Sequence, residues 1–594
     1  MANEDGRIII VYNGEVYNHP ELRTELASRG HRFESHCDTE VLVHGWEEWG
    51  LDLFTRLNGQ FAFAIYDRRD ESVTLVRDRY GVRPLFHALT PHGDLVFGSE
   101  IKAIFASGEI APEADPAGLD ELFTMWGCRP PRTAFRGVQQ LAPGSWMRWK
   151  DGRVTVGQYF DLDYDTQPVD GRDPVGELDA LLRSSVSLRL RADVPVGSYL
   201  SGGLDSAVIA SLASEGSPHT LRTFSIAFAD PRYDERPQQQ MMADLIQSKH
   251  TIAEVGPDEV AESLPDVIWH TETPLLRTAP VPLYHLAKAT RAAGITVVLT
   301  GEGADELFLG YDIFKEAEIR RFCRRQPAST MRPRLFDRLY PYMRGPRSGG
   351  DFWSRFFLDA SSDEEPLFSH MPRFLLSGRI REFYSADFER QVGASDPLAA
   401  LRAALPARWE SWTSLHRGAY LEMISLLSPY LLSSQGDRVS LAFGVEGRYP
   451  FLDWRLERFA AQLPETLKLR GLRDKQVLRD WAKRSLPPAI TARPKQPYRA
   501  PDSAPFQSPR GSAMLNDLLG SSGLREGGYF DPVIVGGLIR RTLAGRPLGT
   551  REEQALVAMV TTQLWHNAFL GAQSQVTPLD LSRAELNWRD LAAA

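Results

Sequence analysis

Apolar residues in the first quarter of the chain come in short runs cut by turn residues. RIIIVYNG from Arg7, QFAFAIYD from Gln60, SVTLVRD from Ser72, DLVFGSE from Asp94 and GSWMRW from Gly144 read as strands, and ELRTELASRG from Glu21 reads as a helix after the first of them. This pattern predicts an α+β region with stacked or mixed sheets. DLDYDTQPVDGRDP, from Asp161 to Pro174, mixes acids, Pro and Gly without periodicity, as a linker does. Beyond it the spacing changes. Val175, Leu178, Leu181, Leu182, Val186 and Leu190 keep helical spacing, and the strand-like segments VPVGSYL (from Val194), TFSIAF (from Thr223) and ITVVLT (from Ile295) are separated by helices. Strands alternating with helices predict a parallel, doubly wound sheet that binds ligands at the C-terminal ends of its strands. From about Tyr311 onward the pattern is mostly helical, and no internal repeat is found.

Composition narrows this picture. A chain of 594 residues, 43% apolar and 24% charged, is long enough for two or more cores, so at least two domains are expected. The net charge of -9 is spread along the length, and basic clusters such as RRFCRR, Arg320 to Arg325, are interrupted by apolar residues, which disfavours nucleic acid as a partner. Cys37, Cys128 and Cys323 lack CxxC spacing, which argues against a disulfide framework or zinc site and for a reducing compartment. The thirteen histidines form no HxxxH or HExxH pair. No apolar run approaches a membrane span, and the charged N-terminus lacks a signal-peptide core. The expectation is a cytoplasmic protein that engages no membrane.

Three stretches carry chemistry. The first strand ends in Asn13, Gly14 and Glu15, a polar turn of the kind that binds substrate at a sheet edge. SGGLDS, Ser201 to Ser206, sits between the apolar VGSYL and the helix-like SAVIASLAS. Its glycines permit a tight turn, and its amides, hydroxyls and following helix N-terminus suit an anion. Asp205 would repel a bare phosphate, so its presence predicts Mg²⁺ shared between carboxylate and phosphate oxygens. An ordinary strand-to-helix turn, with Gly for geometry and Ser or Asp for capping, is the plain alternative. TGEGADELFLGY, Thr300 to Tyr311, follows the buried VVLT and should reach the same sheet edge. Glu302, Asp305 and Glu306 there crowd negative charge onto one turn, which calls for cations. Asp305 is a candidate second magnesium ligand, and Glu302 a general base or a partner for a cationic amine. An acidic helix start accounts for Asp305 and Glu306 but not for Glu302.

Together with DRVSLAFGVEGRYPFLD, Asp437 to Asp453, these motifs stand in an order that resembles the glutamine-hydrolysing asparagine synthetases and their relatives, the β-lactam synthetases and lasso-peptide cyclases. The resemblance runs from Asn3 to about Asp502. It implies an Ntn-type glutaminase sandwich over 1–160 that lacks its first strands and a linker over 161–174. Over 175–594 it implies a doubly wound ATP-pyrophosphatase synthetase domain with a helical C-terminal part. It also implies that a carboxylate is adenylated by MgATP, that pyrophosphate leaves, and that a nitrogen nucleophile displaces AMP. By this resemblance Ser201, Gly203, Asp205 and Ser206 hold the pyrophosphate, with Gly202 in the same loop. Leu200, Ile226, Thr300 and Gly301 line the adenosine site, and Asp205 and Asp305 hold magnesium. Lys475, in RDKQVLRDWAKR, is the catalytic lysine and Glu302 the base in amide formation. Arg448 and Asp453 are either supports or ligand contacts, and Lys495, in RPKQPYRAP, faces either phosphates or solvent.

In that family the first domain releases ammonia from glutamine with an N-terminal cysteine. Asn13, Gly14, Glu15 and Asp38 match its glutamine-binding positions, and FAFAIYD, RDRYGVRPL and GSEIKAI match it further. The family opens Met-Cys-Gly, whereas Ala2 follows Met1 here and Cys37 lies too far into the fold to present an α-amine. Ntn chemistry needs thiol and amine on one residue. The expectation is a disarmed glutaminase with an open sheet edge, through either an internal start or a true loss, and a synthetase fed by ammonia where full-length relatives use glutamine. HTETPLLRTAPVP, from His270, is a second departure: Arg277 stands where acid is usual, either to clamp an anionic group or to pair with Glu272. The acceptor is therefore aspartate or another carboxylic acid. A homodimer is left open. A non-catalytic nucleotide-binding or regulatory relative is the alternative, and intact SGGLDS, Glu302 and Lys475 favour the enzyme.

Overall fold

The structure, a computed structural model, describes residues 1–230, 233–340, 350–496, 498, 500, 502–572 and 574–578. Pro497, Arg499 and Pro501 of RPKQPYRAP and the last residues of the 175–594 region thus lie outside the described residues. The chain divides into two compact units. Among the described residues, the first is Met1–Gly118 with Cys128–Leu162 and those from His566 onward; the second is Leu119–Gly127 with Asp163–Trp565.

In the first unit, strands β1 (Ile8–Val16), β2 (Gly59–Asp67), β3 (Ser72–Arg77), β4 (Phe86–Leu89), β5 (Leu95–Gly98), β6 (Gln139–Gln140), β7 (Ser145–Lys150) and β8 (Arg153–Gln158) form two antiparallel sheets. Their orders are β1-β2-β3-β7-β8 and β5-β4-β6. The period of two sorts β2 between two cores. Phe61, Phe63 and Ile65 pack with Leu22 and Leu26 of the helix His19–Ser28 and with Val41, Leu42 and Trp46 of the helix Asp38–Trp49. Ala62 and Ala64 turn the other way, onto a core shared with Leu85, Leu95 and Phe97 beside and within the second sheet. The outer edge of β1 carries one bridge among the described residues, Ala2 to Ile9, with Met1 O accepting from Ile10 N at 2.8 Å. Farther along, the outward-facing Val16 N is met by a side chain, Asp38 Oδ2 at 2.9 Å, rather than by a strand.

In the second unit, β9 (Val196–Tyr199), β10 (Arg222–Ala227), β11 (Lys249–Glu254), β12 (Val297–Leu299) and β13 (Glu446–Arg448) form one parallel sheet in the order β11-β10-β9-β12-β13. Parallel neighbours need crossover helices, which cover both faces, and the central β12 is accordingly apolar and buried throughout. One face packs Val208, Leu212 and Leu299 against Leu178 and Leu182 of the helix Pro174–Arg189. The other packs Phe224 and Val298 against Leu286 and Ala287 of the helix Pro280–Ala292. The strand order reverses at β9 and β12, whose C-terminal ends carry SGGLDS and TGEGADE; in open parallel sheets this is where ligands bind. Beyond Tyr311 the described residues are predominantly helical, and no helix among the described residues is long and apolar enough to cross a membrane.

Candidate active site

Leu200 N donates to Phe224 O at 2.9 Å, which ties the end of β9 to β10 before the chain turns at Gly202, φ +76°. The helix Leu204–Gly216 begins at Gly203, so no side chain caps its first amides and they remain available to an anion. Ser206 Oγ accepts from Ser201 N at 3.1 Å and lies 2.9 Å from Ser201 Oγ, fixing both hydroxyls in the loop. The second loop abuts the first through Gly301. A Cβ there would fall 2.9 Å from Ser206 N and 3.0 Å from Asp205 Cβ, so a larger residue would force the loops apart.

Charge is concentrated where the loops meet. Lys475 Nζ lies 2.6 Å from both Asp205 oxygens and 2.6 Å from Asp305 Oδ1. Lys495 Nζ lies 2.5 Å from Asp305 Oδ2 and 3.5 Å from Asp205 Oδ2. Lys495, left between phosphates and solvent, turns to the two carboxylates on the cavity wall. Lys475 is buried and holds a left-handed backbone, φ +50°, an uncommon conformation for a side-chain-bearing residue. Its N donates to Phe308 O at 3.2 Å, which pins it beside the second loop. Burial raises the Asp305 pKa, but Lys475 and Lys495 outweigh it and hold the carboxyl below its ordinary value. Glu302 goes the other way: burial lifts its pKa, a hydrogen bond from Thr300 Oγ1 at 3.1 Å and Lys495 oppose the shift, and Asp205 and Asp305 add to it. Glu306, buried beside Asp305, is pushed up to about 8 and accepts from Tyr311 OH at 2.9 Å.

The residues singled out in and around these two loops line one cavity of about 380 Å³, Gly202 and Glu306 excepted; the cavity also takes in Lys475, Lys495 and Arg277. Glu272 does not pair with Arg277. It pairs with Arg438, whose Nε donates to His270 O at 3.0 Å. Arg277 instead stacks its guanidinium 4.6 Å from the centre of the Trp126 ring. Arg448 and Asp453, left between support and ligand contact, are supports: Arg448 donates to Arg189 O (3.0 Å) and Arg191 O (2.6 Å), and Asp453 caps the helix Trp454–Gln462. Neither is on the cavity wall.

Several wall residues were not foreseen. Trp126 comes from the distant segment Leu119–Gly127. Leu426, Tyr430, Leu431 and Gln435 come from the wide i→i+5 helix Met423–Asp437, whose facing positions recur every four to five residues rather than at the 3.6-residue period of an α-helix. Arg373 reaches the wall as the bidentate partner of Glu422, at 2.8 and 2.6 Å, and holds that buried carboxyl down to about 2 against the effect of burial.

In the first unit Asn13, Gly14, Glu15 and Asp38 gather at one end of β1. Asn13 Nδ2 donates to Ser99 Oγ at 3.2 Å, and Gly14 lies opposite Phe61 in the ladder. Asp38 Oδ2 accepts from Val16 N at 2.9 Å and from Tyr12 OH at 2.7 Å. Cys37, immediately before Asp38, is exposed. His31, His44 and Glu47 also come together, their ligand-type atoms within 4.8 Å, although no histidine spacing in the sequence signalled it. Hydrogen bonds to Glu47 from Asn3 (2.6 Å) and His44 (3.1 Å) account for the cluster.

Comparison with known proteins extends this geometry. Residues 177–567 match the asparagine synthase family, and residues 1–160 match the glutamine amidotransferase domain. Asparagine synthetase [glutamine-hydrolyzing] 1 of Bacillus subtilis is 29% identical over 84% of this chain and 77% of its own length. A putative asparagine synthetase [glutamine-hydrolyzing] of Mycobacterium bovis is 29% identical over 95% of this chain and 85% of its own. An amidase, chyE, of Penicillium rubens is 28% identical over 84% of this chain and 78% of its own. The chain belongs to the asparagine synthase family and is an ATP-dependent, amide-forming carbon–nitrogen ligase.

Proposed function

We propose that the second unit adenylates a carboxylic acid, aspartate or a related acid, and transfers ammonia to it, releasing AMP and pyrophosphate. The convergence of Asp205 and Asp305 on one buried ammonium, each 2.6 Å from Lys475 Nζ, carries this reading. Two hard carboxylate donors beside a loop with free helix amides fit Mg²⁺, which takes one or two carboxylates plus substrate phosphates. When bound, the ion would supply charge neutralisation of the triphosphate. The ammonium groups of Lys475 and Lys495 already mark that point as one where positive charge is favoured.

In the first step an oxygen of the acceptor carboxylate bonds to the α-phosphorus of ATP, and the bond from that phosphorus to the bridging oxygen breaks. The electron pair leaves with pyrophosphate, which Ser201, Ser206 and the amides after Gly203 receive. Lys475 meets the charge that grows on the leaving group, a charge greatest in the transition state. Leu200, Ile226, Thr300 and Gly301 flank the adenosine. In the second step nitrogen attacks the acyl carbon, AMP leaves with the acyl C–O electron pair, and the surplus proton on nitrogen passes to Glu302. A carboxylate whose pKa is raised by burial is a better base than an ordinary one and suits that role. The gathering of Asn13, Gly14, Glu15 and Asp38 at the end of β1 supports glutamine binding by the first unit. The synthetase chemistry itself requires only that ammonia arrive.

Pyrophosphate and AMP release from MgATP, measured with ammonium chloride and a panel of carboxylic acids, tests the reading. Acid-dependent release of both is expected; nucleotide binding without acid-dependent release would leave the chain a nucleotide-binding relative.

A further inference from the structure

The cavity has one corner that the chemistry above does not use. Trp126, Arg277 and Tyr430 meet there as a layered flat surface. The Trp126 ring has the Arg277 guanidinium 4.6 Å from its centre, and Tyr430 stands edge-on to it, 5.9 Å away and at 85°. The surface is held from behind. Trp126 Nε1 donates to Ser377 Oγ at 2.8 Å, its N donates to Leu122 O at 2.7 Å, and its backbone sits at φ +76°. On either side of Arg277 the chain is pinned by Leu275 N to Thr561 Oγ1 at 3.0 Å and by Thr278 N to Asp502 Oδ1 at 3.0 Å. The corner is thus pre-formed rather than assembled by a ligand.

Two of its polar atoms have no partner. Arg277 has no ion pair or hydrogen bond among the described residues, and its Nε is buried. The hydroxyl of Tyr430, a side chain 3% exposed, is buried without a partner. Asp502, the acid that bears on Tyr430, is committed to Thr278 through 3.0 and 3.1 Å bonds. Both orphan groups donate, and a buried donor left unsatisfied is costly, so the corner calls for an oxygen acceptor. A guanidinium stacked on one aromatic face also offers its other face to a second flat ring.

We propose that the acceptor acid is an aromatic carboxylic acid bearing an oxygen on its ring, and that the ring docks on the open face of Arg277 while its oxygen accepts from Tyr430 OH. This rests on the ligase reading above and names the substrate class of that site. Trp126 is then a specificity-determining residue: it backs the guanidinium and sets the width of the corner. An aliphatic acceptor such as aspartate would leave the flat surface unmet.

The test uses the full chain with MgATP and ammonium chloride and reads kcat/KM for pyrophosphate release. The probes are hydroxybenzoate, hydroxyphenylacetate, their ring-unsubstituted counterparts, aspartate and glutamate. A hydroxylated aromatic acid is expected to exceed aspartate by about tenfold or more, the scale of one good aromatic contact plus one hydrogen bond. Trp126→Ala should cut the aromatic-to-aspartate ratio about tenfold, whereas Trp126→Phe, which keeps a flat ring, should retain most of it. Tyr430→Phe should erase the preference for the hydroxylated over the unsubstituted ring, a readout that general loss of folding would not produce. Preference for aspartate or glutamate, or a ratio unmoved by Trp126→Ala and Tyr430→Phe, overturns the inference and leaves the ligase reading standing. Release with no acid at all overturns both.

Discussion

The end of β1 in the first unit and the ends of β9 and β12 in the second place polar residues in the same way, just past an apolar strand, yet they dispose of their charge differently. Asp38 spends its carboxylate on its own unit: Oδ2 takes Val16 N and Tyr12 OH, both at the strand it would serve. Asp205 and Asp305 take no backbone donor on their carboxylates among the described residues and instead share two lysines from far along the chain. Bonds from a carboxylate to the backbone and side chain of an adjoining strand fix local shape, and deleting them should cost stability. Carboxylates and ammonium groups gathered from separate elements into one buried space carry a desolvation penalty that packing alone would not select. The comparison therefore predicts large losses of activity in one region and losses of stability in the other.

The largest effect should follow loss of Asp205. Asp205→Ala removes one of the two converging carboxylates and should lower pyrophosphate release by about a thousandfold, with Asp205→Asn as the control of equal size. Circular dichroism and thermal melting check that the fold persists. Release near the wild-type level at ordinary magnesium would remove Asp205 from the site and collapse the contrast. Glu302→Gln comes next. Adenylation should survive as a single burst of pyrophosphate, while steady amide formation falls by about a hundredfold or more. The wild-type dependence on pH should show the base directly. Glu302 acts only when ionised and its pKa is raised by burial, so activity should fall on acidification with a midpoint above the ordinary 4.5, and the Gln variant should lack that limb. A midpoint at or below 4.5 would assign the proton to another group.

On the other side of the comparison, Asp38→Ala leaves Val16 N, within a buried strand end, without its acceptor. It should lower the unfolding free energy by about 1–3 kcal/mol, read by denaturant melting, while pyrophosphate release from ammonium falls far less than in Asp205→Ala. A loss of release as large as that of Asp205→Ala, with unchanged melting, would invert the assignment of the two regions.

What could be read from the sequence divides along similar lines. β1, β2, β3, β5 and β7 and the strands that end in SGGLDS and TGEGADE were legible because each is a short apolar run closed by a turn, and local pattern suffices for that. The crowding of Glu302, Asp305 and Glu306 was legible because like charges adjacent in sequence remain adjacent in any fold. Lys475 and Lys495 look like ordinary solvated charges until β12 and its following loop bring Asp305 to them, so the family resemblance had to point to Lys475, and Lys495 stayed open. The Trp126–Arg277–Tyr430 corner left no sequence signal beyond the unexpected Arg277. Its members lie far apart in the chain, and Tyr430 sits on a helix whose spacing a search for ordinary helices misreads. Arg448 and Asp453 fell between readings because a motif reports that residues matter, while only their partners show whether they hold the frame or the ligand.

The smallest effect concerns Glu306, which belongs to the charged loop yet is expected to behave like a structural group. Burial, with Asp305 adding to it, raises its pKa from 4.5 to about 8, so near neutral pH it is protonated. Its oxygen accepts from Tyr311 OH at 2.9 Å, and an uncharged amide can do the same. Glu306→Gln should therefore change pyrophosphate release at pH 7 by less than about threefold, within the range of a near-isosteric swap at a neutral site. Stability carries the sharper signal. A carboxyl whose folded pKa is raised favours the folded state fully below its unfolded value and loses that advantage as pH rises toward the folded value. Between pH 4.5 and about 8 the wild type should then lose stability with a slope about one proton steeper than the Gln variant, about 1.4 kcal/mol per pH unit at most. Parallel stability profiles across that window would mean that Glu306 is ionised in the folded chain. It would then stand with Asp205 and Asp305 as a third negative charge for the site's cations to balance.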